Sequence, residues 1–335
     1  VSRRQFLHGL GAAASIGVIG DTSANPAAAR SSLASLAPGA DPVTHFRELR
    51  RVLIDSDNLF GPLRVAPAVG DQIAVIHQLR QASRGEDYRD LTHVLAQYAE
   101  FAAWLAQDLG DYPAAESWLR RALEWSHIAG DPDLIVFILA RASQLAGDIA
   151  EDPSRTIQLG EAAITMARPR SRLAAVAATY AAHGYALDGG PDQCARSYDR
   201  AHDLLADADD PDSAWAAWLD TAYIEVQRAH SQAMLGDYTT AATGFGSAIA
   251  ALPTGYHRDR GVYLARQALA HAGGQDLEHA ADLGLQALLI GTTTHSGRVL
   301  TELDRLNTLL DQAPAAPSVA QFRDALASVI VEPPV

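Results

Sequence analysis

From about residue 41 to residue 330 the chain alternates apolar-periodic runs with short breaks, and no run shows clean two-residue alternation. A period near 3.6 residues marks a helix with one buried face, whereas a half-buried strand has a period of two. The pattern predicts helices over 41–57, 67–83, 88–109, 112–127, 132–146, 153–167, 171–187, 191–206, 212–235, 238–251, 257–272, 276–290, 295–312 and 318–329, and no sheet. The breaks are Gly- and Pro-rich, as at Phe60-Gly61-Pro62, Gly130-Asp131-Pro132, Gly189-Gly190-Pro191 and Pro253-Thr254-Gly255. Such residues end helices because Gly takes left-handed backbone and Pro lacks an amide proton.

The runs share an internal grammar. Leu109-Gly110-Asp111-Tyr112 is followed by Ala115, Leu119 and Ala122, and Leu235-Gly236-Asp237-Tyr238 by Ala241, Phe245, Ala248 and Pro253. Weaker copies open at Gly147 (with about four inserted residues), Gly189 and Gln275, so the anchors lie 37, 42, 47 and 39 residues apart. Tetratricopeptide (TPR) repeats have a period of about 34 residues and this order of small, large and small residues. Small residues let the two helices of a hairpin approach, and the large residue fills the gap to the next hairpin. The turn Gly supplies a left-handed cap, and Asp111 and Asp237 are placed to cap the helices that follow. One hairpin cannot bury both its faces, so neighbours must stack. The expected fold is therefore all-α, a TPR-like α-solenoid in which stacked antiparallel hairpins form a right-handed superhelix. It occupies 41–330, with 295–330 as capping helices, behind a flexible segment over 1–40.

Composition narrows the function. The chain is 48% hydrophobic but only 7% aromatic, and its many Ala residues favour close-packed helices. Its formal charge is −14, with no Lys among the basic residues, so this chain by itself is a poor partner for nucleic acid. A single cysteine, Cys194, excludes an internal disulfide and argues against a Cys-based zinc site.

No catalytic or phosphate-binding motif emerges, and neither enzyme activity nor a cofactor or metal is expected. Gly244-Phe245-Gly246 falls in mid-helix, where packing calls for small residues. His271 and His279, eight residues apart across a turn, are not expected to form a metal face. Trp215 and Trp218 are expected near the start of a long helix, packed on the preceding hairpin. In a TPR stack the first helix of each hairpin lines the concave groove. Alignment on the turn glycines puts Trp104, Arg141, His183, His230 and Leu269 in one inward column. Glu100 and Phe137 begin a second, Gln107 and Gln144 a third, and Tyr223 belongs to a fourth with Gln97. The candidate groove is thus Glu100, Trp104, Gln107, Arg141, Gln144, His183, Tyr223 and His230. Arg141 offers a rigid fork of donors for a peptide carboxylate or backbone, while Trp104 and Tyr223 offer apolar anchors.

At the N-terminus, Ser2-Arg3-Arg4-Gln5-Phe6-Leu7, a short apolar run and Ala27–Ala29 are similar to a twin-arginine export signal. The same residue types also make an interdomain linker, and the run is too short and Gly-rich to span a membrane. Several segments taken together (His45-Phe46, Phe60-Gly61-Pro62, Trp104 to Tyr112, Asp259-Arg260-Gly261, Ser296-Gly297-Arg298 and Val319 to Phe322) resemble a known family. It is the TPR-repeat C-terminal region of bacterial Cro/repressor-type helix-turn-helix transcriptional regulators, and the resemblance covers roughly residues 40–330. That resemblance implies a cytoplasmic sensor or oligomerisation module that binds a peptide, protein or small signal or pairs as a homodimer. It also favours the linker reading, since such regulators often carry Arg-Arg-x-Phe-Leu after their DNA-binding domain. No segment here matches the family's helix-turn-helix, so DNA contact is carried over to no residue. The alternative is an export-directed TPR scaffold.

Overall fold

The computed structural model describes residues 40–311 and 316–331; the Arg3-Arg4 segment and the expected linker lie outside them. Fourteen α-helices and one π-helical turn make up the described chain, with no strand among the described residues. The helices are α1 (Pro42–Phe60), α2 (Pro62–Ala82), α3 (Gly85–Asp108), α4 (Tyr112–Ala129) and α5 (Pro132–Leu145). The π-turn (Ala146–Ala150) follows, then α6 (Pro153–Met166), α7 (Arg172–Leu187), α8 (Pro191–Ala206), α9 (Thr221–Met234) and α10 (Tyr238–Ala251). The last four are α11 (His257–Gly273), α12 (Leu277–Thr294), α13 (Gly297–Leu310) and α14 (Pro317–Val331). No described helix is long and apolar enough to cross a membrane.

The caps form where the turn chemistry asks for them. Asp111 accepts from the Ala114 amide and Asp237 from the Thr240 amide. Gly110, Gly189 and Gly236 take positive φ, and Gln275 takes the same left-handed backbone at φ 66 without being a glycine. The helices gather into two compact units, which divide within α5 between Ile138 and Leu139, whereas the sequence reading draws one repeat domain over 41–330. In the first unit α3 packs along both α2 and α4, and Tyr98 on α3 donates to the Phe46 carbonyl of α1 at 2.9 Å.

In the second unit the first helices of successive pairs pack in one layer, α7 on α9, α9 on α11 and α11 on α13. The second helices α8, α10 and α12 pack on their partners α7, α9 and α11. Small residues set the spacing. A Cβ placed at Gly160 on α6 would meet Ala181 Cβ at 2.8 Å and the Ala177 carbonyl oxygen at 3.2 Å on α7. Backbone cannot step aside as a flexible side chain can, so Gly160→Ala is expected to destabilise the unit by about 1–3 kcal/mol, despite Ala's better helix propensity. Thermal unfolding followed by circular dichroism checks this; an unchanged or raised midpoint would contradict it. Gly244 likewise sits against Ala229 Cβ, where an added Cβ would be 2.9 Å away, and Phe245 beside it is fully buried.

The helix expected from 67 starts already at Pro62 and carries Pro67 inside it, and two further differences from the sequence reading have identifiable causes. The helix expected from 212 starts only at Thr221. Arg172 takes up its would-be carbonyl acceptors, donating to Ala216 O at 3.1 Å and also to Leu219 O, while Asp210 accepts from the Arg172 amide at 2.8 Å. Trp215 and Trp218 therefore lie in a turn segment before α9. Trp215 is buried; Trp218 is largely exposed and meets Tyr223 edge-on. The second difference is the π-turn after α5, which absorbs the residues inserted after Gly147 and ends at Glu151 with φ 50.

Candidate functional site

The first helices of the second unit converge on a cluster of charged and imidazole side chains. Asp148 comes from the π-turn, His183 from α7, His230 from α9, Arg266 from α11, and Glu302 and Arg305 from α13. The rings of His183 and His230 stack with centroids 4.5 Å apart and planes 17° apart. Asp148 Oδ1 lies 3.8 Å from both His183 Nε2 and His230 Nδ1, and its Oδ2 lies 3.6 Å from Arg266 Nη2. Arg266 Nε donates to Glu302 Oε1 at 2.8 Å. Arg305 donates to Glu302 Oε2 at 3.1 Å, to the Asp148 carbonyl at 3.1 Å and to Glu151 Oε1 at 2.8 Å. That last set of bonds ties α13 to the π-turn and fixes the backbone that aims Asp148 inward.

Burial and charge tune these groups. Burial and the neighbouring guanidiniums push His230 well below its ordinary value. Burial pushes His183 down too, opposed by the Asp148 carboxylate. Burial alone would raise the Glu302 carboxyl, but Arg266 and Arg305 outweigh it and hold the group below the usual carboxylate value. Glu302 and Asp148 in turn hold the Arg266 proton more tightly, against the cost of burying it. At neutral pH both imidazoles are thus neutral, and they stand beside the charged Glu302, Arg266 and Arg305.

His183 Nδ1 faces Ser231 Oγ at 3.1 Å, and that hydroxyl is 2.8 Å from the Tyr198 hydroxyl. Nearby, the hydroxyls of Tyr180 and Tyr223 are 2.9 Å apart. Burial raises both phenols, that of Tyr180 well above the ordinary tyrosine range, so they serve as neutral hydrogen-bonding groups. Cys194 is buried and its thiol is pushed up to about 11 by that burial, which leaves it a poor nucleophile.

Of the sequence-derived groove residues, Arg141, Gln144, His183, Tyr223 and His230 belong to this unit. The column through His183 and His230 becomes a direct ring stack. Arg141 donates to Gln144, and its charge offsets a small part of the rise that burial causes at Tyr180 and Tyr223. All of these are buried except Tyr223, which is half-buried, so this side of the first helices is packed against protein rather than lining an open channel. Glu100, Trp104 and Gln107 belong to the first unit. There Glu100 accepts from Arg50 of α1 at 3.3 Å, Gln107 is buried and Trp104 is half-buried.

His271 and His279, set aside in the sequence because a turn separates them, meet edge-to-face with centroids 4.4 Å apart. His271 Nδ1 is 3.1 Å from Asp276. Asp148, Arg266, Glu302 and Arg305 were not singled out in the sequence. They lie on separate helices, with no local spacing to announce them.

No family model matches the chain, and no curated protein is detectably similar to it in sequence. Among solved structures, "Crystal structure of BtubC (BKLC) from P. vanneervenii" is similar at a TM-score of 0.44 and 18% identity, covering 75% of this chain and 95% of that one. That likeness is too distant to bear on architecture or activity.

Proposed function

We propose that this chain is a non-catalytic regulatory module of TPR type, part of a transcriptional regulator, which binds a peptide, protein or small signal through the first helices of its pairs. One observation carries the reading: the first helices of successive pairs each contribute polar groups to a single buried place. Removing several charges and imidazoles from water costs more than packing apolar residues there, so such a cluster is a poor device for stability alone. It suits an element that holds alternative helix arrangements a few kcal/mol apart, on which a ligand acts by preferring one.

The test selects peptides from a display library against the full chain and measures the best of them by calorimetry. Arg141 is buried and Tyr223 half-buried, so Arg141→Ala or Tyr223→Ala is expected to weaken binding by about tenfold through the helix arrangement that the ligand prefers rather than through direct contact. Trp104→Ala reports separately on the first unit. Selection of no peptide, or affinities unchanged in all three variants, would end the groove reading.

A further inference from the structure

The buried cluster also has the makings of a coordination site. We propose that Asp148 Oδ1, His183 Nε2 and His230 Nδ1 form a three-ligand site for a divalent first-row transition-metal ion, with zinc the ion that the donor set fits best. These atoms lie within 4.8 Å of one another. In a tetrahedral site with bonds of about 2.0–2.2 Å, neighbouring ligand atoms are about 3.4 Å apart. The two Asp148–imidazole separations of 3.8 Å are within a few tenths of an ångström of that, and the two rings, stacked with planes 17° apart, turn about their side-chain bonds to bring both nitrogens onto one ion.

At 3.6–3.8 Å, the Asp148 carboxylate stands beyond hydrogen-bond reach of His183, His230 and Arg266. His230 Nδ1 is buried in a residue only 6% exposed and has no hydrogen-bond partner. An orphaned buried nitrogen costs free energy, and here it is aimed at a carboxylate oxygen that a neighbouring imidazole also faces. A cation between the three satisfies all of them at once.

The surroundings match what metal-binding imidazoles need. In the Nδ1–H tautomer His183 donates to Ser231 and turns its Nε2 lone pair toward Asp148, the form that metal binding selects, and the Tyr198 hydroxyl lies 2.8 Å from Ser231 Oγ. A second polar contact that fixes the ring and tautomer is the usual companion of a histidine ligand. Arg266 lies 3.6 Å from Oδ2, the oxygen not used, and its charge favours a one-oxygen arrangement of the carboxylate. Around the site stand Asp148, Glu151 and Glu302 against Arg266 and Arg305, an excess of one negative charge that a divalent ion reverses by no more than it started. Two imidazoles and a single carboxylate suit zinc-like ions, whereas calcium and magnesium want more oxygens. Glu151 and Arg305 are partly exposed and mark the side from which an ion enters. Gly147 makes room: a Cβ there would lie 2.9 Å from His183 Cδ2.

The experiment uses the full chain, stripped with a chelator and dialysed, then titrated with Zn2+ by calorimetry. One tight equivalent per chain is expected. His183→Gln and His230→Gln should each weaken it about a hundredfold or more, and Ser231→Ala by about tenfold, since loss of an outer contact alone costs 10–100-fold. The double substitution His271→Ala with His279→Ala, which removes the surface histidine pair, should leave it unchanged. X-ray absorption of the zinc-loaded wild-type chain counts imidazole ligands without any substitution, and two are expected. No tight equivalent, full affinity in His230→Gln, loss of binding in the His271/His279 variant, or an imidazole count other than two would each overturn the proposal. These outcomes are independent of whether any peptide binds.

Discussion

Replacing Glu302 by Ala is expected to lower the unfolding free energy of the second unit by about 3–5 kcal/mol, the cost of leaving a buried charge without its partner. Glu302 supplies the 2.8 Å bond to Arg266 Nε and the 3.1 Å bond to Arg305 Nη1. Without it, the nearest carboxylate to Arg266 is Asp148 at 3.6 Å, beyond hydrogen-bond reach. The Arg266 side chain is only 8% exposed, so water cannot replace the lost acceptor unless the helices part. Arg305 is in a different position, since its side chain is 26% exposed and keeps Glu151 at 2.8 Å. The penalty therefore falls on Arg266. Removing that charge as well should abolish most of it: Arg266→Met combined with Glu302→Leu is expected within about 1 kcal/mol of wild type, or above it, because apolar packing competes well with a buried ion pair. Urea unfolding of the wild type, both single variants and the double variant measures the coupling. A Glu302→Ala loss below about 1 kcal/mol, or a double variant as weak as the single one, would show that the pair is not the closed, dry contact described.

Much of the helical frame was legible because its signals are local. Gly110-Asp111 and Gly236-Asp237 announce a left-handed cap followed by a side-chain cap, and both form. Counting back six residues from the turn puts His183 and His230 in one column, and their rings stack. The misses have physical causes. Gly147 looked like a turn glycine of the same kind, but the chain runs through it in a π-turn and spends its left-handed residue at Glu151 instead. That extra turn is what brings Asp148 to the histidines. Arg266 falls between the columns of the sequence reading, in line with Tyr180 rather than His230, and Glu302 lies in the last pair, where no turn motif sets a register. The start of α9 was misplaced because Arg172, some forty residues earlier, binds the carbonyls that would have continued the helix. Periodicity within one helix carries no information about an acceptor claimed by another. Burial of the groove columns was likewise invisible, since a column facing a groove and a column facing a neighbouring helix have the same spacing.

The two imidazoles make the chelator-treated chain acid-sensitive in a window well above the one that involves its carboxylates. Burial and the facing charges push His183 and His230 below the ordinary histidine value of 6.5 when folded. A histidine with a depressed folded value binds fewer protons in the native state than in the unfolded one, so stability is lost as pH falls below 6.5 toward the folded values. Each imidazole contributes about 1.4 kcal/mol per pH unit inside its window. Between pH 7.5 and 5.5 the pair together lowers stability, with His183 the smaller share because the Asp148 carboxylate offsets part of its shift. The groups facing them are Asp148, Arg266, Glu302 and Arg305. Of these Glu302, held below its ordinary 4.5, adds a separate loss only as pH falls past that value. Self-repulsion among surface charges works in the opposite direction. Acidifying toward the pI of about 5.2 reduces the net negative charge of the chain, which relieves repulsion in the compact state. A fall in urea midpoint from pH 7.5 to 5.5 therefore points to the buried pair. The combined substitution His183→Gln with His230→Gln should flatten that stretch while leaving the steeper loss below pH 4.5 in place. A flat wild-type profile between 7.5 and 5.5 would mean that the rings take up protons in the folded chain as readily as in the unfolded one.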